Sequence, residues 1–314
     1  MRVEELLDRS IALATAVKAV DPSSEILGPA LYGMTAYVTL QDAPDWNTVR
    51  AGYDWFIDYY LDHMRQAEQR TGKRLLDVLD VHWYPEVRGD HRITERNATT
   101  QSDHDARVQA PRSLWDSSYR ENSWIGESMG AFLPLLPRLQ QSIARHYAGA
   151  RLAITEYNYG GGSSISGGLA QADVLGIFGK HGVHIATLWG IAPGDASVSA
   201  AFKLYRNYDG QGGTFGNISV RATTSDPAGT AIHAAIDGQD ASVLHVILLN
   251  RNRQGALDVR VTIRSTKSYT SARVWGFDGA SAAIDPMRAP GGIAGNTFNY
   301  VLPTMSAVHL VLHE

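Results

Sequence analysis

Four strand-length apolar runs, separated by tens of residues of helical periodicity, confine the first two thirds of this chain to a narrow set of folds. The runs occupy 25–33, 76–86, 151–160 and 184–190. Before the first, Val3, Leu6, Leu7, Leu13, Val17 and Val20 recur at spacings of three and four until Asp21-Pro22 stops the helix. Between the others, 47–71 carries Val49, Tyr53, Phe56, Ile57, Tyr60, Leu61 and Met64 at helical spacing, with Thr71-Gly72 as its exit. Stretches 121–147, interrupted by Pro134 and Pro137, and 168–180 read as further helices. Parallel strands need long crossovers, and helices supply them, so this part reads as α/β with a parallel sheet. After about Phe215 the period changes to two: Val259, Val261 and Ile263 against Arg260, Thr262 and Arg264, then Val308, Leu310 and Leu312 against His309, Val311 and His313. Such alternation between turn-forming residues predicts a C-terminal antiparallel β-sandwich. The expected division is 1–213 and 214–314.

Composition removes several function classes. The 314 residues hold 28 Lys+Arg against 32 Asp+Glu, so no cationic surface draws the chain to phosphates, and nucleic acid is not an expected partner. Cysteine is absent, which excludes thiol nucleophiles, thiolate zinc sites and disulfides together. No apolar run reaches the roughly 18 residues of a bilayer span, so no membrane partner is expected either. The chain opens directly on helical periodicity, which reads as a cut end rather than a leader.

The carboxyl tips of the four runs carry the chemistry. They end on Tyr32, on His82-Trp83-Tyr84, on Glu156-Tyr157-Asn158 and on Trp189. In barrels of strand–helix units the active site lies at that face, where residues distant in sequence converge. Aromatic rings around a carboxylate suit a pyranose, whose C–H faces stack and whose hydroxyls hydrogen-bond. Retaining glycoside hydrolysis needs one carboxylate to attack the anomeric carbon and a second, about 5 Å away, to protonate the leaving oxygen. Glu156 suits the attack. His82 and Tyr84 would orient it, and Trp83, Tyr157, Trp189 and Tyr32 would line the substrate subsites. The plainer alternatives are a strand-end Glu paired with an Arg, core aromatics, and Asp80-x-His82 as a metal pair.

Several of these segments together resemble glycoside hydrolase family 44, the endoglucanases and xyloglucanases of clan A. The segments are Gly28-Pro29-Ala30-Leu31-Tyr32-Gly33, Leu40-Gln41-Asp42-Ala43-Pro44-Asp45, Asp80-Val81-His82-Trp83-Tyr84-Pro85-Glu86, Arg112-Ser113-Leu114-Trp115-Asp116 with Ser123-Trp124-Ile125, and Ile154-Thr155-Glu156-Tyr157-Asn158-Tyr159-Gly160-Gly161. The resemblance implies a (β/α)8 TIM-type barrel beside a β-sandwich, retaining hydrolysis of β-1,4-glucan backbones, Glu156 as nucleophile and no required cofactor. It also implies that the acid/base is a Glu in Asn-Glu-Pro at the tip of barrel strand four, and this sequence contains no Asn-Glu-Pro. The first helix resembles the one just after that motif, so the chain would represent strands five to eight of the barrel plus the sandwich. Strands five and eight would then present open edges and exposed apolar faces.

Other readings stay open. Glu86 sits on the correct face to substitute for the missing acid/base, but the Pro85 turn is expected to carry it outward. A non-catalytic carbohydrate-binding remnant, or a clan A glycosidase for xylan or mannan, is the alternative function. The polar segment 88–111 is expected to be a long loop, and its Asp103-His104-Asp105 is a candidate for a structural calcium or simply a solvated turn. Trp46 and Trp115 read equally as sugar platforms or packing anchors. A polysaccharide partner implies an extracellular location, while the oligomeric state is not legible.

Overall fold

The computed structural model describes residues 1–238 and 240–314. They form two compact units. The first comprises 1–86, 112–158 and 182–190, and the second 87–111, 159–181 and 191–314.

The first unit is built on a parallel sheet of β1 (Leu27–Leu31), β2 (Val78–Trp83), β3 (Arg151–Tyr157) and β4 (Ile185–Leu188), in that spatial order. Helices α1 (Val3–Val20), α2 (Met34–Thr39), α3 (Trp46–Val49) and α4 (Phe56–Thr71) connect and flank its first strands. The expected helix over 47–71 is therefore two. Gly52 at φ 89° turns the chain between them, and Trp55 begins α4 from extended backbone. Gly72 ends α4 in the left-handed conformation that glycine adopts without penalty. The apolar stripe expected on α1 also divides. Val3, Leu7 and Ala14 are buried, while Leu13, Val17 and Val20, about 100° round the helix, are exposed, as is Leu27 of edge strand β1.

The segment 88–111 is not one loop, because it contains α5 (Gln101–Gln109) in the second unit. Thr100 caps it by accepting from the Asp103 N–H, and Asp103 reciprocates toward the Thr100 N–H. Its inward face is polar: Asp103 takes the N–H and ring of His91, while the buried Arg107 donates to the carbonyls of Ile93, Ala98 and Tyr159. A helix stabilised this way carries no apolar period to read. In the first unit α6 (Trp124–Ser128) is followed by α7 (Leu135–His146). Pro134 does stop the chain as expected, but Pro137 sits in the first turn of α7, where no N–H is needed and the helix continues.

In the second unit α8 (Ile165–Lys180) and α9 (Ala196–Arg206) precede the antiparallel strands β5 (Ile218–Val220), β6 (Thr230–Asp237), β7 (Asp240–Asn250), β8 (Leu257–Thr262), β9 (Ser271–Asp278), β10 (Asp285–Met287), β11 (Thr297–Leu302) and β12 (Ser306–His313). Six form a sheet in the order β10-β9-β12-β7-β6-β5, and β11 pairs with β8. Leu244, Val246, Leu248, Val308, Leu310 and Leu312 pack against Val261, Phe298, Tyr300 and Leu302 of the strand pair. On the opposite face, Ile247, Leu249, Phe277 and Ala307 pack under Leu169, Ala172, Ala200 and Leu204 of α8 and α9. The larger sheet is thus covered on both faces, so His309 and Val311, which alternate with Val308, Leu310 and Leu312, do not face water. Both are buried.

Most of the polar groups buried on that face pair, while His233 Nδ1 and His245 Nε2 are left without a hydrogen-bond partner among the described residues. His309 Nδ1 donates to the Leu204 carbonyl at 3.0 Å, and its Nε2 lies 3.0 Å from His245 Nδ1. Asp173 of α8 accepts from Arg251 and from His233 Nε2. Burial pushes the Asp173 carboxyl up, and Arg251 and His233 outweigh it, leaving the group below the usual range. Gly176 lies against the His233 ring so closely that a methyl group there would overlap it. No helix among the described residues is long and apolar enough to cross a membrane.

Two measurements follow. Gly176→Ala should lower the unfolding free energy by about 1–3 kcal/mol, as overpacking of a held ring does, and an unchanged denaturation midpoint would contradict the packing. Burial, then the neighbouring His245, lowers the His309 pKa to about 3. Its unfolded value is about 6.5, so the stability it contributes is complete above that pH and is lost as pH falls toward 3. Denaturation midpoints should decline through that window, and His309→Gln should be less stable at pH 7 with a shallower decline.

Candidate active site

The site grows from the ends of β2 and β3, and its geometry depends on one extra residue. The two strands pair Val78 with Arg151 through Val81 with Ile154, after which His82 pairs with Glu156 and Trp83 with Tyr157. Thr155 is skipped, making a β-bulge, and the same shift separates β3 from β4 between Ile154 and Tyr157. Side chains alternate along a strand and paired residues share a face. Asp80, His82 and Glu156 therefore project from one face, and Val81, Trp83, Ile154 and Tyr157 from the other.

On the first face, the Tyr84 hydroxyl donates to Glu156 Oε2 at 3.0 Å, and His82 Nδ1 stands 3.3 Å from the same oxygen. The Glu156 and His82 side chains retain 29% and 14% of their accessible surface, so the carboxylate is reachable but its surroundings are partly dry. Burial, then the bond to Glu156 and its charge, raise the Tyr84 pKa, which keeps the phenol a donor. Tyr37 of α2 donates its hydroxyl to the His82 carbonyl and fixes that backbone. Burial, then the charge of Asp80, raise the Tyr37 pKa too.

Behind Glu156, Asp80 accepts the Thr155 N–H at 3.2 Å and the Thr155 hydroxyl at 2.8 Å. Burial pushes the Asp80 carboxyl up, and the Thr155 bonds only partly oppose it. Asp80 is thus turned to Thr155, and His82 to Glu156. The Thr187 hydroxyl of β4 donates to the Thr155 carbonyl. Beyond the strands, Asn158 Nδ2 donates to the Trp189 carbonyl at 2.7 Å, joining the tips of β3 and β4.

The aromatic residues divide by exposure. Trp189 and Tyr32 are 60% and 53% exposed, free to present a ring face. Trp83 and Tyr157, expected to touch substrate, are each only 1% exposed because alternation turns them to the opposite, apolar face. Trp46 is a packing anchor, edge-on to Phe56 and Tyr59, and Trp115 is half-buried. Glu86 is half-buried rather than carried outward, and its charge adds to the burial that raises the Glu121 pKa. In the second unit Asp103 is turned to His91 and Thr100, His104 to Ser166, and Asp105 to Arg253, so the three diverge. Among the described residues no group of three or more His, Asp or Glu side chains is placed to hold a metal. Sequence reasoning missed Tyr37, Asp80 and Thr155 as parts of the site; the even spacing of Asp80 and His82 on one strand was the signal for Asp80.

Residues 1–87 match the model of glycoside hydrolase family 44. Endoglucanase A of Paenibacillus lautus is 51% identical over 313 residues, 99% of this chain and 45% of that protein. A beta-mannanase/endoglucanase A of Caldicellulosiruptor saccharolyticus is 45% identical over 97% of this chain and 24% of its own length. The solved family 44 xyloglucanase of Paenibacillus polymyxa, in complex with xyloglucan, superposes with a TM-score of 0.97 at 48% identity, covering all of this chain and 62% of that one. These residues are similar, over essentially their whole length, to glycoside hydrolases of family 44. They span about half the length of the P. lautus enzyme.

The two classes of aromatic separate by stability. Trp83→Ala should cost about 3–5 kcal/mol, the loss of a large core side chain. Trp189→Ala should stay within about 0.5 kcal/mol, as an exposed position does. Equal losses in chemical denaturation would contradict the assignment of faces.

Proposed function

We propose that this chain contributes to a retaining endo-β-1,4-glucanase acting on cellulose- or xyloglucan-type backbones, with Glu156 as the nucleophile. The observation that carries the reading is the convergence of the Tyr84 hydroxyl and His82 Nδ1 on one oxygen of a reachable carboxylate at a strand tip. Among the described residues no donor meets the other oxygen, Oε1, which is then the attacking atom. As a C1–Oε1 bond forms and the bond to the leaving oxygen breaks, Tyr84 and His82 hold the carboxylate in line, and Trp189 and Tyr32 stack against the sugar. The similarity of this chain to named endoglucanases and a xyloglucanase supports the glucan backbone as substrate.

In this reading the parallel sheet supplies strands five to eight of a (β/α)8 barrel, with 1–213 as the barrel portion by topology and 214–314 as a β-sandwich. The acid/base carboxylate comes from a segment outside these 314 residues. A polymer substrate places the enzyme outside the cell. The name of the C. saccharolyticus relative favours a second reading in which mannan is also accepted, and a panel of glucan, xyloglucan, xylan and mannan separates the two.

Loss of a general acid costs about 10²–10⁴-fold, so the 314 residues alone should hydrolyse carboxymethylcellulose at least about 100-fold more slowly than whole family members. Turnover comparable to theirs would overturn the assignment of the acid/base to another segment. In a chain extended by the remaining family 44 segment, Glu156→Gln should abolish release of reducing ends from glucan. Retained activity would refute the nucleophile.

A further inference from the structure

We propose that Asp80 is a positioning residue for Glu156, acting through the bulged Thr155. The proposal rests on the reading of Glu156 as nucleophile and adds what aims it. Were Thr155 in register, it would pair with His82, and Glu156 would pair with Trp83 on the apolar face. A carboxylate there would be buried in the layer of Trp83 and Tyr157, away from His82 and Tyr84, and burying a charge is costly. The bulge reverses that outcome, but it removes Thr155 from its regular place between β2 and β4 and leaves its peptide groups to be satisfied otherwise.

Side chains of the flanking strands satisfy both. Asp80 Oδ1 accepts the Thr155 N–H at 3.2 Å, and the Thr155 hydroxyl lies 2.8 Å from each Asp80 oxygen. From the other side the Thr187 hydroxyl donates to the Thr155 carbonyl. Asp80 is 5% exposed, so water does not compete for its oxygens. Asp80 does not touch the reacting atoms. Its effect reaches Glu156 through one peptide unit, and a displacement of about 1 Å at a nucleophile is enough to cost about 100-fold.

The test traps the nucleophile with a 2,4-dinitrophenyl 2-deoxy-2-fluoro-β-cellotrioside. A Glu156 oxygen bonds to C1 while the C1–O bond breaks, its electron pair leaving on dinitrophenolate, which needs no proton. Fluorine at C2 slows hydrolysis of the ester, so the adduct accumulates and is located by peptide mass spectrometry. In the 314-residue chain the label should fall on Glu156. Asp80→Ala should lower the saturating trapping rate by about 100-fold with the half-saturating concentration little changed. Asp80→Asn, whose amide oxygen can still accept the Thr155 N–H and whose NH2 can meet the hydroxyl, should recover to within about 10-fold of the parent. Thr155→Val, which keeps the N–H bond and loses the hydroxyl, should fall between them and carries the test should Asp80→Ala not fold. Label on Glu156 at equal rates in all variants overturns the positioning role alone. Label on another residue of the parent chain overturns the nucleophile, and the positioning role with it.

Discussion

One additional residue in β3 decides which way the Glu156 carboxylate faces. Without the bulge at Thr155, strand alternation would send Glu156 into the buried layer occupied by Trp83 and Tyr157, away from solvent and from His82 and Tyr84. With it, Glu156 stands beside His82 and below Tyr84. The remaining features of the site follow from that reversal. Asp80 and Thr187 serve the peptide groups of the displaced residue, Tyr37 fixes the backbone at His82, and Asn158 ties the tip of β3 to that of β4.

Buried polar groups shape the second unit as well, although His233 Nδ1 and His245 Nε2 are left without a hydrogen-bond partner among the described residues. Its large sheet is covered on both faces, so the polar residues of β6, β7 and β12 cannot turn to water. His233 and Arg251 close on Asp173, and His245 and His309 pair with one another. Helix α5 carries the idea furthest, with Asp103 and Arg107 buried on one face of a short helix and bonded to surrounding backbone. Such networks fix a unique arrangement more than they add stability, since burial costs much of what pairing returns.

What could be read from the sequence was set by periodicity. The four parallel strands and α1, α4 and α8 are visible because apolar spacing declares them, and Glu156 is visible because an acid ends an apolar run. Helix α5 has no apolar stripe, although Thr100-x-x-Asp103 is the signature of its capped start. Period two could have set Trp83 and Tyr157 apart from His82, Tyr84 and Glu156, because neighbours along a strand face opposite ways. The bulge itself could not be read, because it depends on Asp80 and Thr187, which reach Thr155 from other strands. The burial of His309 was hidden for a similar reason: its covering residues lie on α9, about a hundred positions earlier.

The site turns on where the Glu156 carboxylate points when sugar is bound. A crystal structure of the chain with a cello- or xyloglucan-oligosaccharide tests it directly. The account requires a pyranose against Trp189 or Tyr32, with its anomeric carbon about 3–3.5 Å from Glu156 Oε1 while Tyr84 and His82 remain on Oε2. An oligosaccharide bound elsewhere, or Glu156 turned to the side of Trp83 and Tyr157, would contradict it.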